Sequence, residues 1–94
     1  MKLILSQPFR DELRREYLFI RKRNPIAARA VRDRIIAATQ RLKLYPDSGR
    51  AWRWPGSREL VIPGLPYSVI YTMTSDAVIA ASVFHSSREG PHVH

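Results

Sequence analysis

The stretch SRELVIPGLPYSVIYTM, from Ser57 to Met73, contains two short apolar runs, Arg58 to Ile62 and Tyr67 to Met73, separated by Pro63-Gly64-Leu65-Pro66. Proline and glycine at that density break regular structure, so the pattern predicts two strands and a tight connection. In the second run Tyr67, Val69, Tyr71 and Met73 fall on one face and Ser68, Ile70 and Thr72 on the other. The tyrosine-bearing face is expected to be the core face. A turn signal, Thr74-Ser75-Asp76, follows, and then a third run, Ala77 to Phe84, in which Ile79, Ala81 and Val83 form the more uniformly apolar side. Three consecutive strands with short links predict an antiparallel meander. Its uneven alternation suits a sheet that carries helices on one side.

The N-terminal half supplies those helices. Lys2 to Leu5 is a short apolar strand, and Ser6-Gln7-Pro8 opens a helix expected to run from Pro8 to Lys22. Phe9, Leu13, Tyr17 and Ile20 recur at spacings of four, four and three, which places them on one stripe. Arg21-Lys22-Arg23 puts three cations at the helix end, where unpaired carbonyls favour them. Asn24-Pro25 then stops one helix and starts another, since asparagine caps well and proline suits the first turn. The second helix is expected to reach Leu44, burying Val31, Ile35, Ala38, Leu42 and Tyr45, with Ala27, Ala28 and Ala30 allowing close approach to the first. Tyr45-Pro46 ends it, because the residue before a proline leaves the helical region. The fold class is therefore α+β, a single domain over residues 1–94: an N-terminal strand, an antiparallel helical hairpin packed on a small sheet, and a C-terminal three-stranded antiparallel meander.

Between helices and meander lies DSGRAWRWPG, Asp47 to Gly56. This reads as a loop in which Gly49 takes a positive φ. It contains both tryptophans, Trp52 and Trp54, alternating with Arg53 and close to Arg50. Tryptophan here is either a lid over the edge of the core or an exposed anchor for a partner, and Trp and Arg are prominent among interface hot spots.

Charge is unevenly distributed. Residues 1–45 hold twelve Lys/Arg against four acids, whereas residues 46–94 hold four of each. The whole excess of +8 lies in the N-terminal half, which fits an acidic protein partner, a nucleic-acid backbone, or simply well-solvated helix faces. The chain has no cysteine, which excludes disulfides and thiolate metal sites. Its apolar runs are all far shorter than the roughly 20 residues of a membrane span, and Leu3-Ile4-Leu5 is too short for a secretory segment. A cytoplasmic protein is the expectation. In the tail, His92-Val93-His94 would pair imidazoles on a metal only if ordered, and a solvated terminus without metal is expected.

The ordered set Asn24-Pro25 with its alanines, Pro46 to Gly49-Arg50, Arg58-Glu59-Leu60, Pro66-Tyr67 with Tyr71, and Val83 to His85 followed by Arg88 resembles the RelE/ParE superfamily of small bacterial toxins over nearly the whole chain. The resemblance implies one of two activities. RelE-like members cut messenger RNA on the ribosome, and ParE-like members poison DNA gyrase. Both are held inactive by an antitoxin encoded beside them. RelE-like nucleases usually carry an arginine immediately after the tyrosine that opens the middle strand, basic residues around the end of the last strand and often a tyrosine in the tail. This chain has Ser68 at the first position, His85-Ser86-Ser87 before Arg88, and no tyrosine after Tyr71. Only Arg58, His85 and Arg88 remain as a catalytic set for a ribonuclease.

The resemblance thus implies the ParE-like branch: a toxin of a type II toxin-antitoxin, plasmid-stabilisation module that inhibits DNA gyrase on DNA, with no cofactor and no substrate chemistry of its own. Its expected partner is a cognate ParD-like antitoxin, in a hetero-oligomer. The partner-binding residues are Arg50, Trp52, Arg53 and Trp54 of the loop, with Arg14 and Arg21 of the first helix. The alternatives are the RelE-like ribonuclease and a degenerate, non-toxic binding module.

Overall fold

A computed structural model describes residues 1–87. Strand β1 (Lys2–Leu5) leads into helix α1 (Gln7–Arg21), helix α2 (Pro25–Gln40), a 3-10 turn (Arg41–Lys43), and strands β2 (Arg50–Ala51), β3 (Ser57–Val61), β4 (Tyr67–Met73) and β5 (Ala77–His85). Both helix starts follow the capping chemistry. The Ser6 hydroxyl accepts the Phe9 N–H at 3.2 Å, and the Asn24 side chain accepts the Ala27 N–H at 3.0 Å. Three residues between the helices, Lys22 to Asn24, force a tight antiparallel hairpin.

The sheet order is β1-β5-β4-β3-β2. The meander β3-β4-β5 is antiparallel throughout, and β1 adds to it in parallel, with Leu3 beside Val78 and Leu5 beside Ala80. The hairpin is the crossover that this parallel pairing requires. It covers one face of the sheet, where Phe9 and Ile35 meet Ile62, Tyr67, Val69, Ala80 and Val83. A second cluster joins Leu42, Tyr71 and Val78. The tyrosine-bearing face of β4 is thus the core face, as its alternation predicts.

Four features depart from the sequence reading. Arg50 and Ala51, expected to lie in a loop, form an edge strand paired with Glu59 and Arg58. In β5 the register slips: Ile70 lies opposite Ser82 but Tyr71 lies opposite Ala80, which leaves Ala81 as an extra residue. That bulge inverts the alternation. Val78 and Ala80 face the core before it and Val83 after it, while Ile79 and Ala81 stay partly exposed. Helix α2 stops at Gln40 and tightens into the 3-10 turn, so the helical phase is lost and Tyr45 is 57% exposed instead of buried. Finally, the positive-φ glycines are Gly56 and Gly64, not Gly49. Gly49 is required for space: a Cβ there would lie 2.7 Å from Tyr71 Cε1 and Oη and 2.8 Å from the Glu59 carbonyl oxygen.

Candidate partner-binding surfaces

The loop from Pro46 to Gly56 is organised from below by Tyr71. Its O–H donates to the Pro46 carbonyl at 2.7 Å, and its oxygen accepts the Gly49 N–H at 2.9 Å. Burial pushes the Tyr71 phenol above its ordinary value, against the opposing pull of the Gly49 N–H and the Arg58 charge. Arg58 lies opposite Tyr71 across the strands and donates to the Gly49 carbonyl at 2.7 Å, with Asp47 Oδ1 at 3.7 Å. Arg50 binds Glu59 Oε1 at 2.8 Å, and Glu59 is buried while the Arg50 side chain is mostly solvated. Arg58 and Glu59 point to opposite faces, as strand geometry dictates, and each finds its partner on the loop and not in the other.

The tryptophans fold onto the sheet face that the helices leave open. The Trp52 ring sits 6.0 Å from Phe84 and meets Trp54 edge-on at 6.4 Å, and the Arg53 guanidinium lies 4.6 Å over Trp52. Trp52 Nε1 is buried with no hydrogen-bond partner among the described residues. Both rings are half-buried, so the loop covers the sheet and presents an aromatic-cationic outer surface. Ser68 pairs with Phe84 beneath this region and is 1% exposed. An arginine at that position has no room unless the covering opens.

A second surface lies at the other edge of the sheet. Leu5, Phe9, Leu13 and Tyr17 floor a groove of about 250 Å³, rimmed by Arg10, Arg14 and Arg32. Arg32 and Arg21 flank the Tyr17 ring at 5.0 and 5.9 Å. The predicted partner residues therefore separate into two sites. Arg50, Trp52, Arg53 and Trp54 gather on the sheet face away from the helices, where Trp52 reaches Phe84 of β5, and Arg14 and Arg21 belong to the groove on the helical side beside β1. Arg10 and Tyr17 share the stripe of Arg14 and Arg21, at spacings of four, three and four, and that periodicity was open to reading. Arg32 comes from the other helix, and only the hairpin crossing brings it to Tyr17.

Of the ribonuclease set, Arg58 and His85 lie apart. Arg58 lies opposite Tyr71 on one side of β4 and His85 opposite Tyr67 on the other, four residues along and two strand spacings across, and so about 16 Å apart. Arg58 is held by Gly49 and Asp47. The His85 ring packs edge-on against Tyr67 at 5.1 Å, and its Nδ1 accepts the Ser87 N–H. Arg88, His92 and His94 lie outside the described residues. Among the described residues no cluster of three His, Asp or Glu could hold a metal, and no helix is long and apolar enough to cross a membrane.

Comparison with known proteins agrees with this architecture. The profile of the family described as ParE toxin of type II toxin-antitoxin system, parDE, matches residues 3–90. The candidate toxin Y4kP of Sinorhizobium fredii (strain NBRC 101917 / NGR234) is 39% identical over 75 residues, covering 80% of this chain and 77% of that protein. A solved structure of the chromosomal ParDE toxin-antitoxin system from P. aeruginosa shares the fold, with a TM-score of 0.83 at 18% identity over 90% of this chain and 95% of that one. A helical hairpin on a parallel-edged meander, matched by family profile over nearly its full length, makes this chain a member of the ParE toxin family of type II toxin-antitoxin systems.

Proposed function

We propose that this ParE-family chain inhibits DNA gyrase acting on DNA and is neutralised by a cognate ParD-like antitoxin, whose acidic, apolar-anchored segment seats in the groove beside α1. The groove itself supports the antitoxin assignment: an apolar floor of Leu5, Leu13 and Tyr17 under Arg10, Arg14 and Arg32 fits an amphipathic segment with carboxylates along its rim. A segment of about a dozen extended residues reaches roughly 40 Å, enough to pass around the domain to Arg50, Trp52, Arg53 and Trp54 on the opposite face.

Gyrase is favoured over messenger RNA as the target because cleavage of RNA needs an acid-base and charge-stabilising cluster on one face. Here Arg58 is engaged by loop carbonyls and separated from His85. The experiment compares the purified chain in two assays, supercoiling by gyrase and ribosome-dependent mRNA cleavage. Loss of supercoiling without cleavage is expected. Clean cleavage abolished by Arg58→Ala or His85→Ala overturns the gyrase reading.

A further inference from the structure

The hairpin side chains Arg15, Lys22, Arg23 and Arg29 have no role in the surfaces described above. The helix residues in the main core cluster are Phe9, Leu13, Val31, Ile35 and Ala38, and of residues 14–30 only Ala28 is fully buried. The molecule measures 41 Å along its longest axis against 26 and 24 Å across. The hairpin end is a prong, and its exposed side chains include Arg15, Lys22, Arg23 and Arg29.

Charge on this prong is segregated. Helices α1 and α2 hold four carboxylates, Asp11, Glu12, Glu16 and Asp33. Glu12 turns to the Val83 N–H and Glu16 to the Tyr67 hydroxyl, both on the sheet. Asp33 pairs with Arg32, and Asp11 accepts from Gln7. Arg15, Lys22, Arg23 and Arg29 make no ion pair among the described residues.

We infer that the prong formed by Arg15, Lys22, Arg23 and Arg29 is a binding surface for the phosphate backbone of duplex DNA. A convex surface of dispersed cations lacks the central pocket that a protein hot spot needs, but phosphate neutralisation needs none. Single strands are a poorer match. The aromatic rings of the hairpin already have cationic partners: Tyr17 lies between Arg21 and Arg32, and Arg23 lies over Phe19 at 5.7 Å. Two packed helices, with axes about 8–10 Å apart, are too broad to enter a major groove about 12 Å wide that admits one helix. They rest across it on the flanking backbones, a spacing that the narrow major groove of A-form RNA does not offer. Recognition is therefore of backbone, without base readout. This surface is distinct from the groove and does not depend on gyrase being the target.

The test measures anisotropy of a labelled duplex of about 20 bp with the full chain, from about 50 to 200 mM salt. Four phosphate contacts predict a log-log slope of about −3.6. The triple variant Arg15→Gln/Lys22→Gln/Arg29→Gln is expected to bind at least about tenfold more weakly at the lowest salt and to lose about 2.7 of that slope. Circular dichroism checks that it folds, and Arg29→Gln alone, losing about 0.9 of slope, serves if the triple variant does not. Absence of binding at low salt overturns the inference. So does a triple variant that binds like the parent, a strong preference among duplex sequences, or tighter binding to duplex RNA, phosphatidylserine vesicles or polyglutamate. Gyrase is absent from this assay, so its failure leaves the supercoiling experiment standing, and the reverse holds.

Discussion

Arginine does opposite work at the two ends of this molecule. In the corner formed by the 46–56 loop and β3, Arg58 and Arg50 are engaged internally, by the Gly49 carbonyl and by a buried Glu59. On the helical hairpin, Arg10, Arg14, Arg21 and Arg32 lie against apolar and aromatic side chains, and among the described residues only Arg32 of these has a carboxylate partner. Internal partners fix a loop, whereas cations with little internal compensation attract something from outside. The difference teaches that net charge alone is a weak guide to binding. What matters is whether the fold has already neutralised the charge.

The corner breaks most readily at Gly49. Gly49→Ala places a methyl 2.7 Å from Tyr71 and 2.8 Å from backbone oxygen of Glu59. Neither neighbour is a flexible side-chain end, and overpacking of this kind costs about 3 kcal/mol. For a domain of this size that lowers Tm by roughly 12–24 °C, which calorimetry reads directly.

Tyr71→Phe is the next largest effect. It keeps the ring but leaves the Gly49 N–H and the Pro46 carbonyl without their partner, at a cost of about 1–3 kcal/mol. It also changes the response to pH. Burial raises the phenol of Tyr71 in the folded state, so below its unfolded value of about 10 the hydroxyl is protonated in both states and its contribution is complete. Above that value the unfolded chain releases the proton first and stability falls as pH rises. Denaturant titrations between about pH 8 and 11 should show this loss in the parent and a smaller one in Tyr71→Phe.

Much of this corner was hidden in the sequence for an identifiable reason. Helix starts at Ser6 and Asn24, the stripe of Phe9 and Leu13, and the core face of β4 all follow from local periodicity and capping, and the structure reproduces them. Gly49 instead depends on a tyrosine 22 positions later in the chain, and glycine needed for space carries the same letter as glycine needed for a positive φ. The bulge at Ala81 shifts the phase of an otherwise regular strand, and nothing within β5 marks it, since alanine and serine suit either face. At the candidate sites, composition singled out the Trp/Arg loop and, of the groove rim Arg10, Arg14 and Arg32, only Arg14. The placement of Arg32 above Tyr17 exists only because two helices cross.

Trp54 tests whether the corner also serves a partner. It is half-buried and touches Trp52 edge-on, so Trp54→Ala removes both outward surface and lid packing. If the loop is a second contact for the antitoxin, affinity by calorimetric titration falls by roughly 1 kcal/mol, about fivefold. Unchanged affinity with a lowered Tm confines Trp54 to a role as lid.

The hairpin gives the smallest effect on stability and so the sharpest contrast with Gly49. Arg14 is exposed on the groove rim, and its loss leaves no buried group unpaired. Arg14→Ala should therefore shift Tm by no more than about 2–4 °C, the range of an ordinary surface substitution. Charge reversal at the same position, Arg14→Glu, is expected to be almost as mild for the isolated domain, because Arg14 makes no ion pair among the described residues and its rim neighbours Arg10 and Arg32 are cations. Against an acidic antitoxin segment the two variants diverge. Alanine removes one rim attraction, while glutamate sets a carboxylate against carboxylates, and juxtaposed like charges cost several kcal/mol at an interface. Antitoxin affinity should fall in the order parent, Arg14→Ala, Arg14→Glu, with the loss for glutamate shrinking as salt is raised. Equal affinity for all three, at matched Tm, would remove Arg14 from the interface and with it the groove as the antitoxin's seat.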